Sequence, residues 1–133
     1  MKGQSSLELL ITVGIVIAFT IPVLFLLLSV TSIGYEDTAK AQAEASTRTL
    51  SDTINLVYAQ GDGAKRLILL NTPPSTKEVS VEDGEVIVTI LTSGGEFEAV
   101  HPTIAVVKTV SLGGRTGLFL ISVENVDGEV ELH

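Results

Sequence analysis

The chain has 133 residues, enough for one small domain and an appendage but not for two full globular units. Its formal net charge is −8 and its eight lysines and arginines are scattered, so no basic stripe exists to neutralise phosphates, which argues against nucleic acid as a partner. It contains no cysteine, which excludes disulfides, thiolate metal sites and cysteine nucleophiles together.

Hydrophobic residues make up 45% of the chain, and the excess sits at one end. From Leu9 to Tyr35 no side chain is charged. A bilayer's hydrocarbon core is about 30 Å thick and a helix rises about 1.5 Å per residue, so roughly 20 residues cross it. The run from Leu9 to Ile33 is long enough to span. It is too long for the apolar part of a secretory signal, and no Ala-x-Ala-like cutting site follows it. An acidic surface is repelled by anionic headgroups, so membrane contact falls to this segment. Lys2 on one flank and Glu36-Asp37 on the other place the N-terminus in the cytoplasm and the chain beyond Tyr35 outside.

Three features depart from a plain anchor. Glu8 opens the apolar run, where an anchor would carry a Lys or Arg able to reach the interface. Pro22 removes a backbone hydrogen bond that lipid cannot replace. Small and hydroxylated residues (Thr12, Gly14, Ala18, Thr20) are spread along the run, and Gly14-x-x-x-Ala18 allows close helix contact. Singly, each also fits an ordinary account: a charge at a helix start, a harmless kink, chance spacing.

Together they fall into one register. The stretch Lys2-Gly3-Gln4-Ser5-Ser6-Leu7-Glu8-Leu9-Leu10 resembles the class III signal peptide of archaeal type IV pilins. In that family a short basic leader ends in Gly, a prepilin peptidase cuts after it, and the mature chain begins Gln-x-Ser-x-Glu. The resemblance implies residues 1–3 as leader, cleavage between Gly3 and Gln4, and Glu8 as fifth residue of the mature chain. Glu8 and the new amine of Gln4 become the assembly residues, Gly14 and Ala18 a helix-packing pair, and Pro22 the place where the helix bends on leaving lipid. It covers about thirty residues and continues more weakly through Tyr58-Ala59-Gln60-Gly61-Asp62-Gly63-Ala64-Lys65-Arg66, which looks like the helix-to-sheet junction of the same pilins. The Gly- and Ala-rich apolar pattern of archaellins is absent, which favours an adhesive pilus over a rotating filament.

Beyond the span the pattern predicts an amphipathic continuation of the same helix, about Ser5 to Gln60. Its apolar half covers about residues 7–34. In the second half Ala43, Leu50, Ile54, Val57 and Tyr58 form one stripe, with Lys40, Glu44, Arg48 and Asp52 on solvated faces. Gly61 and Gly63 supply the stop. From 64 to 133 the pattern is β-rich, with short strands at Leu67 to Leu70, Val79 to Glu82, Glu85 to Leu91, Phe97 to Val100, Ile104 to Val110, Leu118 to Val123 and Glu129 to Leu132. Asp83-Gly84 and Asp127-Gly128 are the hairpin turns. The expected fold is α+β: a long N-terminal hydrophobic helix packed on a C-terminal antiparallel β-sheet or small β-sandwich. About seventy residues of β structure are marginal alone, so the helix is expected in their core.

No catalytic, cofactor or metal constellation emerges. His101 and His133 are isolated, Asp83 and Asp127 read as turn residues rather than calcium ligands, and Asp62 between two glycines lacks the strand-before, helix-after setting of a phosphate loop. An enzyme is not expected, and no cofactor. The resemblance implies a structural subunit polymerising with itself into an extracellular adhesive filament, first held in the membrane as a precursor. Its partners would be the prepilin peptidase, an assembly ATPase and a membrane platform. Two alternatives stay open: a minor pilin or pseudopilin of a secretion-like machine, and an anchored binding ectodomain that never polymerises.

Overall fold

A computed structural model describes residues 2–133. Met1 and the side chain of Lys2, both part of the expected leader, lie outside the described residues. The chain divides into two compact units, Met1–Tyr35 and Glu36–His133. A single helix, α1 (Lys2–Gln60), contributes to both. In the first unit it stands alone: every described side chain from Gly3 to Tyr35 is exposed. It is one helix long and apolar enough to cross a membrane, by length and composition.

The second unit combines the rest of α1 with seven strands: β1 (Lys65–Thr72), β2 (Thr76–Glu82), β3 (Glu85–Thr92), β4 (Gly95–Pro102), β5 (Val110–Gly113), β6 (Gly117–Val126) and β7 (Glu129–Leu132). They form two antiparallel sheets, β1-β6-β7 and β4-β3-β2-β5. The fold is therefore α+β, one long apolar helix followed by antiparallel sheets. One core serves the whole unit. Leu50, Ile54 and Val57 of the helix meet Leu70, Ile121, Val123 and Val130 of the first sheet and Val79, Val81, Val86, Val88 and Ile90 of the second.

Two Asp-Gly pairs set the hairpins as expected. Asp83 and Gly84 adopt φ values of 48° and 77° between the paired Glu82 and Glu85, and Asp127 and Gly128 adopt 53° and 83° between Val126 and Glu129. Positive φ at both central residues matches the right-handed twist of the flanking strands, and Asp-Gly reaches it at little cost.

One expected strand is not there. Of Ile104 to Val110, only Val110 enters β5. The preceding residues connect β4 to β5, the two opposite edges of one sheet, and on the way touch β7 of the other sheet through a single parallel bridge, Val107 with Val130. The Lys108 amide donates to the Val130 carbonyl (3.0 Å), and the Val130 amide to that of Val106 (2.8 Å). Ile104 is 85% exposed and Ala105 buried, so the apolar run does not supply one continuous core face.

The helix stripe also differs in detail. Ala43, Leu50, Ile54 and Val57 are fully buried, but Tyr58 lies at the margin and is exposed. Ser46, Thr47, Ser51 and Thr53 are buried instead. Their hydroxyls carry structural bonds: Ser46 donates to the Asn71 carbonyl of β1 (2.6 Å), and Ser51 to the Pro102 carbonyl of β4 (2.8 Å). β1 and β4 are each an outer strand of their sheet, so each serine satisfies one carbonyl on a strand edge.

Replacing Leu50 by Ala should destabilise this unit by about 2–5 kcal/mol, because a fully buried side chain leaves a cavity the surrounding strands only partly fill. Leu56→Ala, on the exposed side of the same turn, should cost less than about 1 kcal/mol. Denaturant unfolding of the two variants measures the contrast; equal losses would contradict a core running along this stripe.

Candidate functional site

The residues singled out in the sequence lie on the first unit's helix. Gly3, Gln4, Glu8, Gly14, Ala18 and Pro22 are all exposed, and α1 runs unbroken through Pro22. Lacking an N–H, Pro22 leaves the Ala18 carbonyl without its usual intrahelical donor. A Cβ placed on Gly14 would meet nothing within 4 Å, and the same holds at Gly3. Glycine inside a helix is destabilising by about 0.5–1 kcal/mol relative to Ala. Nothing within this chain compensates for it at Gly14.

The polar groups of the apolar half are satisfied internally. Thr12, Thr20, Ser29, Thr31 and Ser32 each donate to the carbonyl four residues earlier, at 2.7–3.1 Å. Such back-bonding lets a hydroxyl sit on an apolar surface without an external partner. Glu8 differs: among the described residues no cation pairs with its carboxylate.

At the other end, α1 is fastened to the β structure by one residue that the sequence did not flag. Asn125 of β6 is buried, and its side-chain amide donates to the Val57 and Tyr58 carbonyls at 3.5 and 3.4 Å, capping the helix end. Its backbone carbonyl accepts from Gly63 (2.9 Å) and its side-chain oxygen from Gly128 (3.0 Å). Asp62 accepts from the Asp127 amide (2.8 Å), so it serves the same junction. An Asn near the end of a largely apolar strand carries no local sign of this role; only the pairing of β6 with β1 brings it under the helix terminus.

Glu36, where the second unit begins, accepts a hydrogen bond from the Ser93 amide in the β3–β4 turn (2.8 Å). Bonds from the Ser93 side chain and amide, helped by Lys40, hold its carboxyl below the usual glutamate range. A depressed folded-state pKa means the tie is fully present above the ordinary glutamate pKa and is lost as pH falls through the lowered value. Acidification should therefore loosen the turn, read as faster hydrogen exchange at the Ser93 amide relative to unfolded-chain rates; unchanged protection in acid would contradict the tie.

Among the described residues no group of three or more His, Asp or Glu side chains is placed to hold a metal ion. A long apolar helix followed by antiparallel sheets is an architecture compatible with a pilin-like fold. No family model, curated protein or solved structure matches the chain.

Proposed function

We propose that this chain is a structural subunit of an archaeal-type type IV pilus, cut between Gly3 and Gln4 and polymerised through its N-terminal helix into an extracellular adhesive filament. The observation that carries this reading is the first unit itself. A charge-free helical stretch from Leu9 to Tyr35 has every side chain exposed, and it continues into a helix built into a separate folded unit. Such a surface requires cover. Lipid provides it before assembly, and the helices of other copies provide it afterwards. Gly14, whose space nothing in the chain fills, gives a neighbouring helix close access, with Ala18 one turn on.

In this scheme the cut at Gly3 removes Lys2 and frees the amine of Gln4. Once the helices bundle, the Glu8 carboxylate sits among apolar neighbours and needs a cation; the Gln4 amine of an adjacent subunit supplies it. The pair then fixes axial register more than it adds net stability. Pro22 weakens the helix locally where it must bend on extraction from the membrane by the assembly ATPase and platform.

Gly3→Val tests the first step. A Cβ at Gly3 would meet nothing within 4 Å among the described residues, so the expected effect lies in recognition by the peptidase. The expected result is complete retention of an uncut, membrane-bound precursor, against a wild-type chain that begins at Gln4 in protein sheared from the cell surface. Mass spectrometry of both distinguishes them, and a mature Gln4 terminus in the variant would refute the assignment. A wild-type chain that keeps Gly3 and stays in the membrane would favour an anchored ectodomain instead.

A further inference from the structure

The formal charge is not spread evenly along the chain. Lys2 and Glu8 cancel in the first unit, so the other seven basic and fifteen acidic residues place the whole −8 on the second. None of those acids is buried. Most of the bases are already engaged with a partner inside the unit. Lys77 bonds Glu96, and the Lys108 ammonium lies 3.7 Å from Glu131. Lys65 stands across from Glu124 in the β1–β6 ladder, while Lys40 and Arg115 lie over the rings of Phe97 and Phe119, at 5.4 and 5.8 Å.

The unbalanced acids meet where α1 stops. Glu82 and Glu85 face each other across the β2–β3 hairpin with Asp83 between them, and like charges directly opposite on a sheet are destabilising. This hairpin is tied to the helix end. The Thr103 amide donates to the Gly84 carbonyl (2.7 Å), and the next amide, that of Ile104, donates to Asn55 Oδ1 on α1 (3.0 Å). Asp127 and Glu129, around the β6–β7 turn, reach the same end through the Asp127 amide, which donates to Asp62. A helix C-terminus carries partial negative charge and favours cations, yet the last turn of α1 has no basic residue. Among the described residues, none of Asp62, Glu82, Asp83, Glu85, Asp127 and Glu129 is in an ion pair.

We propose that dissolved salt holds the second unit to its full stability: the helix end and its two hairpins loosen as ionic strength falls and tighten as it rises. Repulsion between surface carboxylates reaches across such an end in dilute salt and not in concentrated salt, because the screening length is about 10 Å at 0.1 M and about 3 Å at 1 M. The repulsion calls for mobile counterions and not for a seated metal ion. The inference does not depend on polymerisation; it concerns the fold of each copy, and it fits that fold to a saline medium.

Urea unfolding of the full chain in an uncharged detergent tests this, since urea adds no ions of its own. From about 0.02 M to about 1 M NaCl the folding equilibrium constant should rise about tenfold, and KCl should act alike. Glu82→Gln with Asp127→Asn removes one carboxylate from each hairpin. The second turn is kept, because Asn-Gly takes the positive φ that Asp127 and Gly128 adopt. This variant should exceed the wild type in dilute salt and lose about half of the salt gain on a logarithmic scale. Glu44→Gln with Asp52→Asn makes the same change in charge on exposed helix positions one turn either side of Arg48, and should leave the gain intact. Unfolding indifferent to salt overturns the proposal. An equal response of the two double variants also overturns it, by placing the effect in net charge and not at the helix end. A gain reproduced by millimolar MgCl2 or CaCl2 in dilute NaCl overturns it in favour of a bound divalent ion.

Discussion

Deleting residues 1–32 converts the chain into a soluble, folded protein that forms no filament. The deleted stretch contributes nothing to the core, whose buried members run from Ala43 to Leu132. It carries one Lys and one Glu, which cancel, so the formal charge stays at −8 while the uncharged apolar run is lost. What remains keeps the two hydroxyl bonds from Ser46 and Ser51 to the strand edges and the Asn125 cap on the helix end. Sedimentation should show a monomer at low micromolar concentration, and circular dichroism should show cooperative unfolding. Filaments assembled by this truncation would overturn a helix-bundled polymer, and a molten or aggregated product would show that the second unit depends on the first.

Glu8→Ala separates processing from growth. Cleavage after Gly3 should proceed, since the side chain lies beyond the cut, yet filaments should be rarer by on the order of a hundredfold. Removing one member of a buried ion pair typically costs about 3–5 kcal/mol, because the remaining charge is stranded, and in the proposed filament that charge would be an amine repeated in every subunit. Glu8→Gln keeps the shape and removes only the charge, so it should fail as Ala does. Electron microscopy of surface filaments gives number and length, and mass spectrometry gives the terminus. Normal filaments from either variant would mean that Glu8 does not set the register.

Much of this fold is visible in the residues because local chemistry and tertiary context agree. Asp83-Gly84 and Asp127-Gly128 sit where a two-residue turn needs positive φ, so their hairpins are legible from four residues alone. The end of α1 at Gln60 is legible for a similar reason: Gly61 takes φ 91°. The segment from Ile104 to Val107 misleads because its apolar content mimics that of a paired strand. Its backbone is spent connecting the two edge strands of one sheet past β7, and composition does not distinguish a connection from a ladder. The buried hydroxyls of α1 were missed because Ser and Thr count as polar in a periodicity reading. Ser46, Thr47, Ser51 and Thr53 in fact fill the gaps between Ala43, Leu50, Ile54 and Val57 at helical spacing, and that continuity was the available signal. The exposed leucines of β1 and β6 (Leu67, Leu69, Leu118 and Leu120) were hidden differently. In β1 and β6 apolar residues occur on both sides, so the alternation that tells inside from outside is erased.

The two helix serines that bond strand-edge carbonyls bear on how this unit would carry load. A pull along α1 reaches the β structure through Ser46 on β1 and Ser51 on β4 together, so the tension is shared between two sheets and does not unzip one strand from its neighbour. Withdrawing the helix would leave a carbonyl on each of two edge strands without its donor in the same event. Within the second unit the helix and the strands therefore yield together, and a chimera that grafts these strands onto another helix should keep the two serines to hold under load.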